Sequence, residues 1–215
     1  MTDQALSSLP IALVGLGGLL LVIASALAVR RRSQSHSFGW IVVACLTYSI
    51  LSMAAAMHVR SSDGLRAAVM QFVAVLLAAG LGYLCIPQQT AAPSSPSALA
   101  TAGRALAWLT LLGFPPTVGF HGKLMVYRAI LLAGWPWLLA LAMAASLAAL
   151  LPALWGIRAS GSAHPRGVHS LAIVALMLVI TVLGVYPQSG MALLSRLEQP
   201  AAASETGVAS ELDVW

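Results

Sequence analysis

Six apolar stretches run through the chain, roughly Pro10–Val29, Gly39–His58, Leu65–Ile86, Arg104–Gly134, Trp137–Ile157 and His169–Tyr186. Five are about twenty residues long, the length at which a helix rising 1.5 Å per residue crosses the hydrocarbon core of a bilayer. None shows the strict apolar–polar alternation of a membrane-spanning β-barrel. The expected fold is therefore all-α: a polytopic helical membrane protein with about six transmembrane helices.

The fourth stretch is the irregular one. At about thirty residues it is long for one straight span and short for two. Pro115 and Pro116 divide it. A proline inside a helix removes one backbone hydrogen bond and clashes with the preceding turn, at a cost of about 3 kcal/mol or more. This pair frees the carbonyls of Leu111 and Leu112, four residues back. One discontinuous crossing, broken at 113–117, is the economical expectation, with Gly113, Gly119 and Gly122 adding small surfaces and conformational freedom around the break. A helical hairpin would need two spans of about fifteen residues each.

Charge distinguishes the two. With one crossing, one side of the membrane collects Arg30, Arg31, Arg32, Arg104, Arg158 and Arg166. Outside the spans the other side holds only Arg60, Arg66 and Arg196, together with the acidic Glu198, Glu205, Glu211 and Asp213. The positive-inside rule then places both termini outside. A hairpin would carry the Arg158/Arg166 loop outside and spoil the bias. The expected spans are thus 10–29, 39–58, 65–86, 104–134, 137–157 and 169–187, within a membrane domain of residues 1–187. Residues 188–215 form an acidic, alanine-rich tail, expected to be flexible or laid on a partner. Trp40, Trp135, Trp137 and Trp155 fall at span ends, where tryptophan anchors to the interface. The first stretch is expected to be a retained helix, because Asp3 and no basic residue precede it, whereas a signal peptide begins basic.

Composition narrows the function classes. Hydrophobic residues make up 60% and charged residues 8% of the 215, against about 25% charged in a soluble domain. The formal net charge of +5 sits at the ends of apolar runs, where it sets topology and meets lipid. No basic-aromatic motif suggests nucleic acid. Cys45 and Cys85 lie inside apolar runs as small buried hydrophobes; neither their spacing nor their context suggests a disulfide or a metal site. No carboxylate pair, histidine cluster or nucleophile–base arrangement is present, so no catalytic residue and no cofactor are expected in this chain.

What remains is one cation. Lys123 is the only lysine, and it follows the double proline inside an apolar stretch. A charge at the centre of a spanning helix costs roughly 2.5–3.5 kcal/mol on insertion scales. Either Lys123 is buried with a task, or it snorkels to the interface from a short helix end. A buried amine changes charge with hydration or a neighbouring carboxylate. Tyr127, one turn on, shares its face and is placed to hydrogen-bond it. His121 points to another face, either as a relay group or as a packing histidine bonded to a carbonyl. Arg128 is expected at the outer interface, and Tyr48, Ser49 and Ser52 in interhelical hydrogen bonds. No acidic residue falls inside a span, so no carboxylate partner for Lys123 is expected within the chain.

Leu109-Thr-Leu-Leu-Gly113-Phe-Pro-Pro116-Thr-Val-Gly119-Phe-His-Gly122-Lys123 resembles the Leu-Ser-Leu-Ala-Gly-Ile-Pro-Pro-x-x-Gly-Phe-x-Gly-Lys stretch of the antiporter-like, proton-pumping subunits of respiratory complex I, related to Mrp-type antiporters. Subunit N of NADH-quinone oxidoreductase is the nearest member by this resemblance. Leu178-Val-Ile-Thr-Val-Leu-Gly184-Val-Tyr-Pro187-Gln188 is similar to the Leu-Gly-x-x-Pro-Gln ending of that subunit's last helix. Thr47-Tyr48-Ser49-Ile-Leu-Ser52 matches more weakly. Val43 and Ala44 stand where the family usually has Lys-Arg, and Met53, Ala55 and Ala56 where it often has His, Gly and Tyr. The resemblance implies the C-terminal half of an antiporter-like fold in a bacterial inner membrane. It implies a proton path through Lys123, with His121 and Tyr127 as further candidates, and partner subunits of a complex I-like assembly, one of them supplying the other antiporter half or a counter-charge. Redox chemistry would belong to those partners, since no set of cluster-ligating cysteines is present. The alternative is a degenerate subunit that keeps the fold as a structural or assembly element and moves no protons.

The topology has a direct test. Single cysteines introduced at Ser95 and Ser204 should react with an impermeant label from opposite sides of the membrane; labelling from one side would overturn the six-span arrangement.

Overall fold

The computed structural model describes residues 2–30, 33–85, 97–158, 168–188 and 192. The Gln88–Ser97 connection, apart from Ser97, and nearly all of the acidic tail lie outside the described residues. These form helices α1 (Thr2–Arg30), α2 (Gln34–Val59), α3 (Ser62–Cys85), α4 (Ala98–Leu112), α5 (Val118–Leu132), α6 (Pro136–Ala148), α7 (Leu150–Arg158) and α8 (Val168–Val185), with no strand among them. Ser8–Arg30, Gln34–Val59, Ser62–Cys85 and Pro136–Ile157 are each long and apolar enough to cross a bilayer, while α4 and α8 are shorter apolar helices. Large apolar side chains face outward in numbers, including Leu171, Leu178 and Tyr83. This is an integral membrane protein of helical type.

Close backbone approaches fix how the helices run. In the α2–α3 pair, Gly82 lies against the ring of Phe38 and Gly64 against the backbone of Ala56, so the helices are antiparallel. Along α3, Gly103 of α4 packs on Cys85 and Leu81, Gly122 of α5 on Gln71, and Arg128 of α5 reaches Asp63. The α4–α5 pair therefore runs end to end down the whole of α3 as one interrupted rod. A hairpin would have returned Arg128 to the Cys85 end.

Two boundaries differ from those expected. The fourth stretch begins at Ala98, behind the extended N-cap residue Ser97, not at Arg104. Arg104, expected as the first residue of that span, is therefore nearly two turns inside α4 and 2% exposed. The fifth stretch is two helices, with a step at Ala149. Pro152 has no N–H to give the Ala148 carbonyl, and its ring crowds that carbonyl, so α6 ends and α7 starts afresh.

The core has two main clusters. In one, the indole of Trp108 meets Phe38 edge-on with ring centroids 5.1 Å apart, surrounded by Leu81, Cys85, Leu111 and Ile173. The other joins α1, α2, α5 and α6 through Leu21, Leu51, Val126, Ile130 and Leu138. Leu111, Leu112 and Val118, which flank the helix break, belong to the first cluster, and α8 closes over the break with Gly184 against the Pro116 carbonyl.

A methyl group on Gly184 would collide with the backbone of Pro116 and Thr117, whereas one on Gly39 meets nothing within 4 Å. Gly184→Ala should therefore lose about 1–3 kcal/mol, the usual cost of overpacking, and Gly39→Ala nothing measurable by that route. Thermal unfolding in matched detergent checks this; equal behaviour of the two variants would contradict the packing of α8 on the break.

Candidate functional site

The site is built from the way α4 ends. Gly113 adopts the left-handed conformation, φ 78°. The Gly113 and Phe114 N–H groups both donate to the Leu109 carbonyl, at 3.0 and 2.9 Å, and Gly113 N–H also lies 3.1 Å from the Thr110 carbonyl. This is the αL termination that glycine favours, because it carries no Cβ penalty there. A Cβ on Gly113 would also press on the Lys123 side chain. The chain turns through the cis Pro115–Pro116 peptide, and α5 restarts after Thr117, whose hydroxyl donates to the Phe114 carbonyl at 2.6 Å.

The turn leaves the carbonyls of Leu111 and Leu112 without N–H partners, since the residues four ahead are the two prolines. Side chains from two helices supply the donors. Cys45 of α2 donates its S–H to the Leu111 carbonyl, 3.3 Å away. Lys123 of α5 donates from Nζ to the Leu112 carbonyl at 3.0 Å. Lys123 is 5% exposed, so it is buried and does not snorkel. Its Nζ also lies 5.3 Å from the centre of the Tyr48 ring.

Ser146 of α6 connects the remaining polar groups. Its hydroxyl lies 3.2 Å from Lys123 Nζ, 2.8 Å from the Tyr48 hydroxyl and 2.9 Å from the Tyr127 hydroxyl. Counting hydrogens fixes the direction of each bond. Tyr48 gives its one hydrogen to the Ala142 carbonyl at 2.6 Å, which can only accept. Ser146 must then donate to Tyr48, and its own single hydrogen is spent. It accepts from Lys123 and from Tyr127. The wire thus runs from Lys123 through Ser146 and Tyr48 to the α6 backbone, with Tyr127 as a side branch.

The expected site residues separate accordingly. Tyr127 does share the Lys123 face, but it reaches the amine only through Ser146, not directly. His121 turns the other way and bonds the Gly184 carbonyl of α8 at 2.8 Å. It is not brought to Lys123. Gly119 and Gly122 give the close approaches of α5 to the Thr110 carbonyl and to Gln71. Arg128 is exposed and pairs with Asp63 at 3.8 Å, an arrangement worth little in stability. Ser52 bonds the Gly64 carbonyl at 2.8 Å and Tyr48 crosses to α6, but the buried Ser49 Oγ has no partner, so it forms no interhelical bond. The Gln71 Oε1 is likewise buried and unpartnered. Ser146, Cys45 as a donor and Gln71 were not singled out from the sequence; a polar residue within an apolar run was the available signal for Ser146 and Gln71.

Among the described residues no carboxylate contacts Lys123, and no group of three or more His, Cys, Asp or Glu side chains is placed to hold a metal ion. The arrangement is chemically able to exchange a proton at one amine.

The sequence matches no protein-family model and no curated protein. Solved structures share the fold. A chain of respiratory complex I from Thermus thermophilus with bound aureothin superposes with a TM-score of 0.62 at 21% identity, covering 83% of this chain and 44% of that one. A chain of the same organism's complex I with bound NADH gives 0.67 at 18%, covering 86% and 42%. A chain of the membrane-bound sulfane sulfur reductase, an archaeal respiratory membrane complex, gives 0.67 at 19%, covering 89% and 42%. This chain therefore spans well under half the length of the chains it matches.

Removing the hub should be more costly than removing either tyrosine hydroxyl. Ser146→Ala strands Tyr127 and takes one acceptor from Lys123, at about 1–3 kcal/mol per unsatisfied buried group. Tyr127→Phe removes both the donor and its need for a partner and should cost about 1 kcal/mol or less. Denaturant unfolding in one detergent measures both; a Ser146→Ala variant as stable as Tyr127→Phe would refute the hub.

Proposed function

We propose that this chain is a membrane-arm subunit of a complex I-like respiratory assembly, subunit N-like in type, and that Lys123 is a station on a proton path completed by groups outside the described residues. The observation that carries the proposal is the buried amine itself, held by a carbonyl that the helix break releases and by a hydroxyl that can turn. Intramembrane cations at interrupted helices mark ion paths as a rule. The fold shared with chains of two kinds of respiratory membrane complex supports the assembly. The proposed setting is a bacterial cytoplasmic membrane, with six spans, α4 and α5 counting as one, and both termini outside.

The geometry suits a proton station because both charge states of Lys123 are accommodated. Charged, the amine donates to Leu112 and Ser146. When it gives up a proton it gains a lone pair. Ser146 then swings its hydrogen from Tyr48 to Nζ, still accepting from Tyr127. Tyr48 keeps its bond to the Ala142 carbonyl. One N–H of the amine has no acceptor among the described residues in either state, so the number left over does not change, and the switch needs only one hydroxyl rotation. His121, on the opposite face and bonded to α8, would serve a separate branch or a packing role.

The second reading is a non-pumping structural subunit of the same kind of assembly. It is favoured by Val43 and Ala44 standing where the resembled family has Lys-Arg, which leaves α2 without a lysine or arginine.

The two readings part at one experiment. Lys123→Met and Lys123→Ala should leave the assembly intact and lower proton translocation per turnover in proteoliposomes. Lys123→Arg should restore little, because guanidinium stays protonated. Assembled Lys123→Ala complexes that pump normally would make the subunit structural.

A further inference from the structure

Helix α8 ends inside the bundle, and packing fixes how deep. Gly103 of α4 lies against both Leu81 of α3 and Ile173 of α8, and Gly80 of α3 against Leu176. At its other end α8 meets the break, Gly184 on Pro116, so it runs antiparallel to α3. From Leu176 to Gly184 is about 12 Å at 1.5 Å per residue. The same distance along α3 from Gly80 reaches Phe72, near the middle of a helix long enough to cross a bilayer. The carbonyl end of α8 is therefore level with the middle of α3.

A helix leaves its last carbonyls without intrahelical partners, which is costly where no water can serve them. The Tyr186 N–H closes on the Val182 carbonyl at 2.8 Å. Pro187 has no N–H to give the Leu183 carbonyl. The Gly184 carbonyl is met from α5 by His121, whose Nε2 lies 2.8 Å away. A carbonyl only accepts, so Nε2 carries the hydrogen and Nδ1 is the nitrogen left to gain or lose one. The bond is the same whether the ring is neutral or charged.

The first turns of α5 thus present two donors on different faces. Lys123 serves the end of α4, and His121 serves the end of α8. The two ends meet at Pro116, where Gly184 presses on the backbone of Pro116 and Thr117, and Thr117 is the N-cap of α5. We propose that His121 is a positioning residue: it fastens the carbonyl end of α8 onto the break and so holds the start of α5 where Lys123 reaches the Leu112 carbonyl. What the bond requires is the donor hydrogen, not a proton that the ring could carry. The clasp is needed whether or not Lys123 moves protons.

Lys123 is the only lysine, so isotopic labelling of lysine nitrogen in the full chain, held in lipid nanodiscs, gives a single Nζ resonance. Hydrogen exchange in the last turn of α8 reports whether that helix stays docked. His121→Gln places an amide N–H the same number of bonds from Cα and should leave both readouts as in the wild type. His121→Leu should shift the Lys123 resonance and speed the exchange about tenfold, as expected for one buried carbonyl left without its donor. His121→Asn, polar but one bond too short, should do the same, which keeps the test decisive if the leucine variant does not fold. Arg128→Gln, at an exposed position of α5, should change neither readout. An unmoved Lys123 resonance in the asparagine variant, or an equal shift in Arg128→Gln, would overturn the proposal. So would His121→Gln behaving as His121→Asn does, since a need for the ring itself marks a proton relay.

Discussion

Two backbone carbonyls, those of Leu111 and Leu112, constrain everything around them. In hydrocarbon no water is available, and each unsatisfied backbone group costs several kcal/mol. Pro115 and Pro116 withdraw the N–H groups that would have served these carbonyls. Cys45 and Lys123 supply the replacements at 3.3 and 3.0 Å. A broken helix and a buried cation are each costly alone, but here each answers part of the other's need. The two bonds also tie α2 and α5 to the end of α4, so the relative placement of three helices follows from where two prolines fall.

Backbone contact does the rest of the assembly, as expected where lipid removes the hydrophobic drive between helices. Gly119 lets the start of α5 approach the Thr110 carbonyl, Gly122 lets α5 meet Gln71, and Gly184 lets α8 close on Pro116. These approaches close the break on the α3 and α8 sides. On the α2 and α6 side the contacts are side chain to side chain, through Tyr48, Tyr127 and Ser146. The interrupted helix thus has one face of packed backbone and one face of hydroxyl groups. Lys123 lies on the second.

Much of this could be read in the chain, and the boundary is physical. The break and its freed carbonyls follow from local rules, because a proline affects the residue four before it in any helix. The burial of Lys123 was legible as one cation in a long apolar run. Ser146 was not, because a lone serine among alanines acquires its role only when α6 packs against α2 and α5. Tyr127 was placed on the right face but with the wrong partner, since helical spacing fixes direction and not what lies opposite. The helix α4 begins before Arg104 because its N-cap is Ser97, whereas a charge in an apolar run marks only where the apolar stretch starts. The step at Ala149 was visible in principle through Pro152, but a run of apolar residues hid it.

Hydrogen counting carries the argument further than distance does. The Leu112 carbonyl needs only a donor, and a neutral amine, an amide or a hydroxyl of the right length would satisfy it. Structural demand alone therefore does not call for a group that can be charged. Ser146, for its part, has a single hydrogen, committed to Tyr48 while Lys123 is charged and free to turn to Nζ when it is not. A fixed structural cap has no use for that freedom. The proposed proton station rests on the hydroxyl in a three-way junction, with one neighbour that can change from donor to acceptor; a cap that merely closes a broken helix needs no such neighbour.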